Sequence, residues 1–239
     1  MNKMKVNAAA VPLTTRRLST PRTAAVAGIL FAVLFGAAIV LLGLAIPTDP
    51  ADRGAWLEEQ AGMVTFALSL FPFAGIFFLW FIGVVRDRLG ELEDRFFSTV
   101  FFGSGLLFLA MAFVSAALAG GLLATYATAP AQVIDSGVYT FGRQIVYQIT
   151  NVYAMRMAAV FMLSLGTVWV RTRNMPRWLA LLTFVLALFL LVSLGKSLWV
   201  TLVFPAWVLL ISIHILVVNL RRRRAGAGDG MTPVVEQKE

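Results

Sequence analysis

Apolar residues in this chain fall in long unbroken runs, not in the stripe that marks one face of a soluble helix. A helix needs about 20 mostly apolar residues, each rising about 1.5 Å, to cross the hydrocarbon of a bilayer. Six runs qualify: residues 23–46, 63–85, 99–126, 150–170, 178–195 and 197–220. Only Lys196 and its neighbours divide the last two. One helix over 178–220 would measure about 64 Å, twice the bilayer core, so residues 194–197 read as a tight turn between two spans. The pattern predicts an all-α fold, a polytopic membrane helix bundle of six transmembrane helices. Residues 1–22 are a polar, basic N-terminus, 23–220 the transmembrane domain, and 221–239 a basic tail whose Gly-rich end is expected to be disordered. The first run is too long for a signal-peptide core and lacks a small-residue cleavage site, which makes it a retained helix.

The cations alternate with the runs. Five (Lys3, Lys5, Arg16, Arg17, Arg22) precede the first run, and three (Arg86, Arg88, Arg95) follow the second. Three more (Arg171, Arg173, Arg177) follow the fourth, and Arg221, Arg222, Arg223 and Arg224 follow the sixth. The intervening connections hold only Arg53, Arg143 and Lys196. The positive-inside bias then puts both termini in the cytoplasm, and the charges sort this way only for an even number of spans. Trp80, Trp169 and Trp178 fall near the basic ends and Trp56 and Trp199 near the others, as in an interfacial belt; Trp207, in mid-span, is the exception.

Composition narrows function by exclusion. Hydrophobic residues make up 59% of the 239 and charged ones 13%, against about 45–50% and about 25% in soluble domains. Almost nothing is left over for a soluble catalytic domain. The net charge of +8 sits at the ends of apolar runs, where topology signals and lipid headgroups account for it, so no nucleic acid is implied. The absence of cysteine excludes disulfide exchange, thiolate metal sites, iron–sulfur clusters and palmitoylation. One histidine, His214, excludes a haem held by two histidines of this chain. No metal and no cofactor is expected.

Candidate chemistry concentrates around the fourth run. Arg156 lies inside it, where an arginine costs a few kcal/mol unless it is paired, snorkels or lines a wet cavity. The stretch before it is polar and aromatic, and all four tyrosines (Tyr126, Tyr139, Tyr147, Tyr153) fall between the third and fourth runs or at their edges. On an α-helix Gln144, Gln148 and Asn151 share a face, with Tyr147 beside them. Arg156, Asn151, Gln148, Gln144, Tyr147 and Tyr153 are therefore the candidate ligand-binding residues of an outward-facing pocket for a small anionic or amphipathic ligand. The plainer reading is that Arg156 snorkels while the tyrosines line the interface. Asp49, Asp52, Glu58, Glu59 and Asp135 are the available counter-charges, with Glu58 and Glu59 placed to open the second helix.

The remaining motifs read as packing. Ala24, Gly28, Ala32 and Gly36 repeat every four residues, as do Ala116 with Gly120 and Ala117 with Gly121; such small-residue stripes are expected as seams inside the bundle. Gly103-Ser104-Gly105 misses the Gly-x-Ser-Gly of rhomboid proteases, because Phe102 takes the first glycine position, and is expected at a helix contact. Pro72 and Pro205 predict fixed bends in the second and sixth helices. Ser197, Thr201, Ser212 and Asn219 make one polar stripe of the sixth helix, with His214 on another side, open to a proton relay or a simple interhelical hydrogen bond.

The run from Phe71-Pro72-Phe73 through Gly75 and Trp80 to Arg86-Asp87-Arg88-Leu89-Gly90, and Met175-Pro176-Arg177-Trp178-Leu179-Ala180, resemble a group of bacterial six-helix membrane proteins. The resemblance implies a bacterial cytoplasmic membrane and brings no activity. No nucleophile–base pair, metal set or phosphate loop is visible, so the chain is expected to be a non-enzymatic interaction, accessory or sensor bundle. The alternative is small-solute or lipid binding or transport at the pocket on the fourth helix. Expected partners are the lipid bilayer, anionic lipid at Arg221 to Arg224, and a protein partner or a second copy of the chain.

Overall fold

A computed structural model describes residues 20–46, 54, 56–89, 95–172, 175–193 and 198–228. Every element in them is helical: α1 (Thr20–Ala45), α2 (Trp56–Glu59), α3 (Ala61–Leu89), α4 (Arg95–Thr128), α5 (Pro130–Asp135), α6 (Val138–Tyr147), a π-helical segment (Gln148–Ala154), α7 (Met155–Thr172), α8 (Arg177–Val192) and α9 (Leu198–Gly228). Hydrocarbon offers a backbone no partner but itself, and a helix satisfies its N–H and C=O groups internally. Five helices are long and apolar enough to cross a membrane: 23–45, 61–86, 96–128, 138–172 and 200–221. The sixth apolar helix, α8, has 16 residues, about 24 Å at 1.5 Å each.

The helices pack antiparallel in sequence order. Phe31 of α1 meets Phe78 of α3 while Phe35 meets Phe71. Arg86 of α3 lies over Phe102 of α4, whereas Leu68 lies against Gly120. Phe101 of α4 stacks on Phe161 of α7, and Ser115 bonds Thr150. The last helix, α9, closes the ring against α1, with Ser212 against Gly28, and against the π segment, with Thr201 bonded to Asn151. One end of the bundle therefore carries the exposed Arg86, Arg171, Arg177 and Arg221. At this arginine end the guanidinium of Arg86 sits 4.8 Å from the Phe102 ring and that of Arg171 sits 4.6 Å from Phe97, tying α3 and α7 to the start of α4. The opposite end is roofed by α2, α5 and α6, which share a small core of Leu57, Tyr126, Val133 and Tyr139.

Aromatic rings fill the centre. Phe31, Phe78, Phe108, Phe161, Phe204 and Trp207 are all essentially inaccessible. Phe204 alone contacts the rings of Phe31, Phe78, Phe108, Phe161 and Trp207, at centroid separations from 4.6 to 6.0 Å.

Several boundaries differ from the sequence reading. The fourth apolar helix starts at Val138, not Thr150, because the polar, aromatic stretch before Thr150 continues the same helical rod through the π segment. Glu58 and Glu59 end the short α2 and do not open the crossing helix, which begins at Ala61. The last helix runs to Gly228, eight residues past Leu220. Trp169 is buried on Trp207, ring centroids 6.1 Å apart, and so is a core residue, while Trp80 and Trp178 are exposed near the arginine end. The turn at 194–197, the charges from Glu91 to Asp94, residues 1–19 and 229–239 lie outside the described residues.

The small-residue stripes divide. Ala24, Gly28 and Ala32 are buried in the α1 seam, as expected, but Gly36, the fourth residue of that stripe, is half-exposed with no atom within 4 Å of where its Cβ would stand. Ala117 and Gly121 of α4 face outward, and no atom lies within 4 Å of where a Cβ on Gly121 would stand. In the Gly103–Gly105 triplet, a Cβ on Gly105 would come 2.7 Å from Ile82 and 3.0 Å from Phe161, both buried, while one on Gly103 would meet nothing within 4 Å. Ser104 donates to the Val100 carbonyl at 2.6 Å. The triplet is a helix contact with one glycine that matters. Gly105→Ala is expected to destabilise the bundle by about 1–3 kcal/mol through overpacking, and Gly103→Ala to be neutral, in detergent melts of the two variants; equal melting would contradict this packing.

Candidate functional site

The π segment is where the polar residues meet. In it the N–H of Met155 reaches the Thr150 carbonyl five residues back, so each turn is wider than an α-turn. Four side-chain contacts converge on the same level. The Thr201 hydroxyl of α9 donates to Asn151 Oδ1 at 3.0 Å, and Asn151 Nδ2 donates to the Tyr147 carbonyl at 3.3 Å. Ser115 of α4 and Thr150 share a hydrogen bond of 2.5 Å. Ser115 also reaches the Val146 carbonyl at 3.3 Å. One turn further along α9 stands the buried Pro205, whose ring nitrogen has no proton, so the Thr201 carbonyl loses its helical donor. Both facing rods therefore interrupt the α ladder at one level, in the interior, where irregular backbone has protein to bond with.

The six candidate residues do not assemble into one lining. Gln144 and Gln148 are exposed, Tyr153 is 58% exposed, and Tyr147 is half-buried. Asn151 is turned inward to Thr201, because the wider π turns carry it off the face it would share with the glutamines in an α-helix. Arg156 is half-buried and its Nη1 donates to the Val152 carbonyl, one turn back on its own rod, at 2.9 Å. It thus points toward the roof end, as a side chain does when it leans toward its helix N-terminus. Among the described residues it forms no ion pair. Of the expected counter-charges, Glu59 and Asp135 are exposed near the roof, and Asp49 and Asp52 lie outside the described residues.

Sequence reasoning passed over two features. Trp207 is tolerated in mid-span because its Nε1 donates to Thr183 Oγ1 at 2.9 Å, and Thr183 passes its own proton to the Leu179 carbonyl at 2.8 Å. A tryptophan and a threonine facing each other from adjacent apolar runs was the available signal. The other feature is a groove of about 740 Å³ between the roof-end halves of α3 and α4. Leu57 and Tyr126 floor it, Thr65 and Leu68 form one wall, Gly120 and Ala124 the other, and none of the six candidate residues lines it. A groove comes from how far apart two helices stand, for which the residue pattern carries no signal. Ser212, fully buried against Gly28, holds the one buried side-chain oxygen among the described residues that lacks a partner. His214 is half-buried. No group of three metal-ligating side chains occurs among the described residues.

Comparison with protein-family models, with curated proteins and with solved structures found no match, so the resemblance carried by residues 71–90 and 175–180 gains no support from them.

A hydrogen bond between membrane helices contributes about 0.6 kcal/mol on average and up to about 1.7. In a double-mutant cycle of Thr201→Val and Asn151→Ala the two sites are expected to couple within that range in detergent melts, whereas Gln148→Ala should be neutral and uncoupled. Additive effects of the first pair would remove Asn151 from the interior contact.

Proposed function

We propose that the chain is a non-enzymatic accessory bundle that acts by binding another membrane protein or a second copy of itself through the outward face of α4. The observation that carries the reading is the burial of that helix. Only 22% of its apolar window is buried within the chain, against 39% to 61% for the other four crossing helices. Its outward face brings small residues to the surface one or two turns apart, at Ala110, Ala117, Gly121 and Ala124. Small residues let two helix backbones approach closely, which is how helices associate where lipid is as apolar as their side chains. The aromatic filling of the bundle axis supports the same reading, since it leaves the interior to packing.

The finer topology belongs to the proposal. Six crossings, with both termini in the cytoplasm, agree with the gathering of Arg86, Arg171, Arg177 and Arg221 at one end and with an α8 that is apolar on its buried and exposed faces alike. Arg221 to Arg224 would then meet anionic headgroups at the cytoplasmic surface. A bacterial cytoplasmic membrane rests on the family resemblance alone. The rival reading, ligand binding around Arg156, draws support from the exposure of Gln144, Gln148 and Tyr153 on one rod.

Native mass spectrometry from lipid nanodiscs tests the partner reading: a discrete complex is expected, abolished by Gly121→Leu with the melting of the isolated chain unchanged. A lone chain, or a complex indifferent to Gly121→Leu, overturns it; a ligand-induced rise in Tm that Arg156→Ala abolishes would favour the rival. Because the chain has no cysteine, single cysteines report topology on a silent background. Ser136→Cys is expected to react with an impermeant maleimide on intact cells, and Thr172→Cys and Thr232→Cys only after permeabilisation. Reaction of Thr232→Cys from outside would mean five crossings.

A further inference from the structure

We propose that the groove between α3 and α4 is a binding site for one acyl chain of a membrane lipid. The proposal rests on the two helices crossing the membrane; Ala124 is shared with the partner face of α4 but Gly121 does not line the groove, so the proposal survives if Gly121→Leu has no effect. At the arginine end the two helices are in close contact, with Gly105 against Ile82 and Gly75 against Phe113 and Leu109. Toward the roof they part, and Gly120 leaves its side of the gap without a side chain. The gap extends over residues 61–68 of α3 and 120–127 of α4, about 10 Å at 1.5 Å per residue.

Its boundaries select the occupant. On the side of the aqueous phase the roof is shut: Leu57, Tyr126, Val133 and Tyr139 are buried together, and Trp56 Nε1 donates to the Tyr139 hydroxyl at 2.8 Å. Gly54, at φ 89°, adjoins this closure, since a Cβ placed on it would stand 3.0 Å from Leu57 Cδ1 and 3.4 Å from the Tyr139 ring. Sideways the gap is open, flanked by the exposed Thr65 and by Ala124 and Ala127. Entry is thus from between two apolar helices and not from water, and the lining is apolar apart from the Thr65 hydroxyl, the Tyr126 phenol and backbone. The groove holds about 740 Å³ and opens to the side, so it is filled by whatever surrounds the two helices. Water needs polar partners that this lining does not supply. A narrow, flexible hydrocarbon chain arriving from the bilayer satisfies every one of these conditions, and a polar solute satisfies none.

Photolysis of the full chain in phosphatidylcholine vesicles containing a mid-chain diazirine phosphatidylcholine tests this. Adducts are expected to concentrate several-fold on the 61–68 and 120–127 segments over the exposed Leu181, Val185, Leu188, Phe189 and Val192 of α8. Gly120→Phe should cut that excess to the α8 level, because the new ring projects into the groove, where the nearest atom to a Cβ is Leu68 Cδ1 at 3.8 Å. Should Gly120→Phe fail to fold, Ala124→Leu at the rim is expected to give the same loss. Equal labelling of groove and α8 in the unmodified chain overturns the proposal, as does an excess that neither filling variant reduces.

Discussion

The bundle hangs on the ring of Phe204. Four other helices send a phenylalanine to it, so that α1, α3, α4 and α7 are each fixed relative to α9 by one edge or face of a single side chain. Rings have definite faces and edges, and their pairings favour offset and edge-on geometries, which makes such a cluster directional as well as apolar. Between helices whose side chains are no more apolar than lipid, shape has to supply the preference that the hydrophobic effect supplies in water. The glycines serve that geometry: Gly105 gives Phe161 and Ile82 room, and Gly28 lets α9 approach α1 at Ser212.

Around that apolar centre the polar contacts are few and each joins a different pair of rods. Thr201 with Asn151 ties α9 to the π segment, Ser115 with Thr150 ties α4 to it, and Trp207 with Thr183 ties α9 to α8. Pro205 falls beside the first of these, so the weakest point of the α9 ladder lies next to a side-chain bond that spans to a neighbour. The arginine end is held differently, by guanidinium groups lying on phenylalanine rings of α4. The two ends of α4 thus answer to unlike forces, cationic at one and hydrogen-bonded at the other, with the open groove at the second.

What the sequence reveals and what it conceals divide along a physical line. Helices long and apolar enough to cross were legible because twenty apolar residues in a row have few other uses; the small-residue stripes were legible only in part, since Ala24, Gly28 and Ala32 are buried while Gly36, Ala117 and Gly121 are not. The start of the fourth crossing helix was not legible, since Gln144, Tyr147 and Gln148 are too polar to count toward an apolar run, and contacts through Tyr139 and Gly142 show where that helical stretch rests. The candidate residues stand apart in the structure for a related reason. Grouping Gln144, Gln148 and Asn151 assumes an unbroken α period, and no residue announces a π turn. Arg156 was read as paired, snorkelling or lining a wet cavity; it bonds a backbone carbonyl of its own rod, and side-chain composition does not display carbonyls.

The π segment carries one consequence for how such a chain tolerates change. A π turn is an α-helix holding one residue too many, and each α-helical residue turns its neighbours by about 100°. The wide turn takes up the extra residue, so loss of one residue in 148–154 would close the segment into a regular helix and leave α6 and α7 facing as they do, with Tyr139 still on Trp56. The same loss in the regular part of α6 or α7 has no such slack and would swing the roof by about 100° against the bundle. The π segment is therefore the one place along this rod where the chain can shorten by a residue and keep roof and bundle in register.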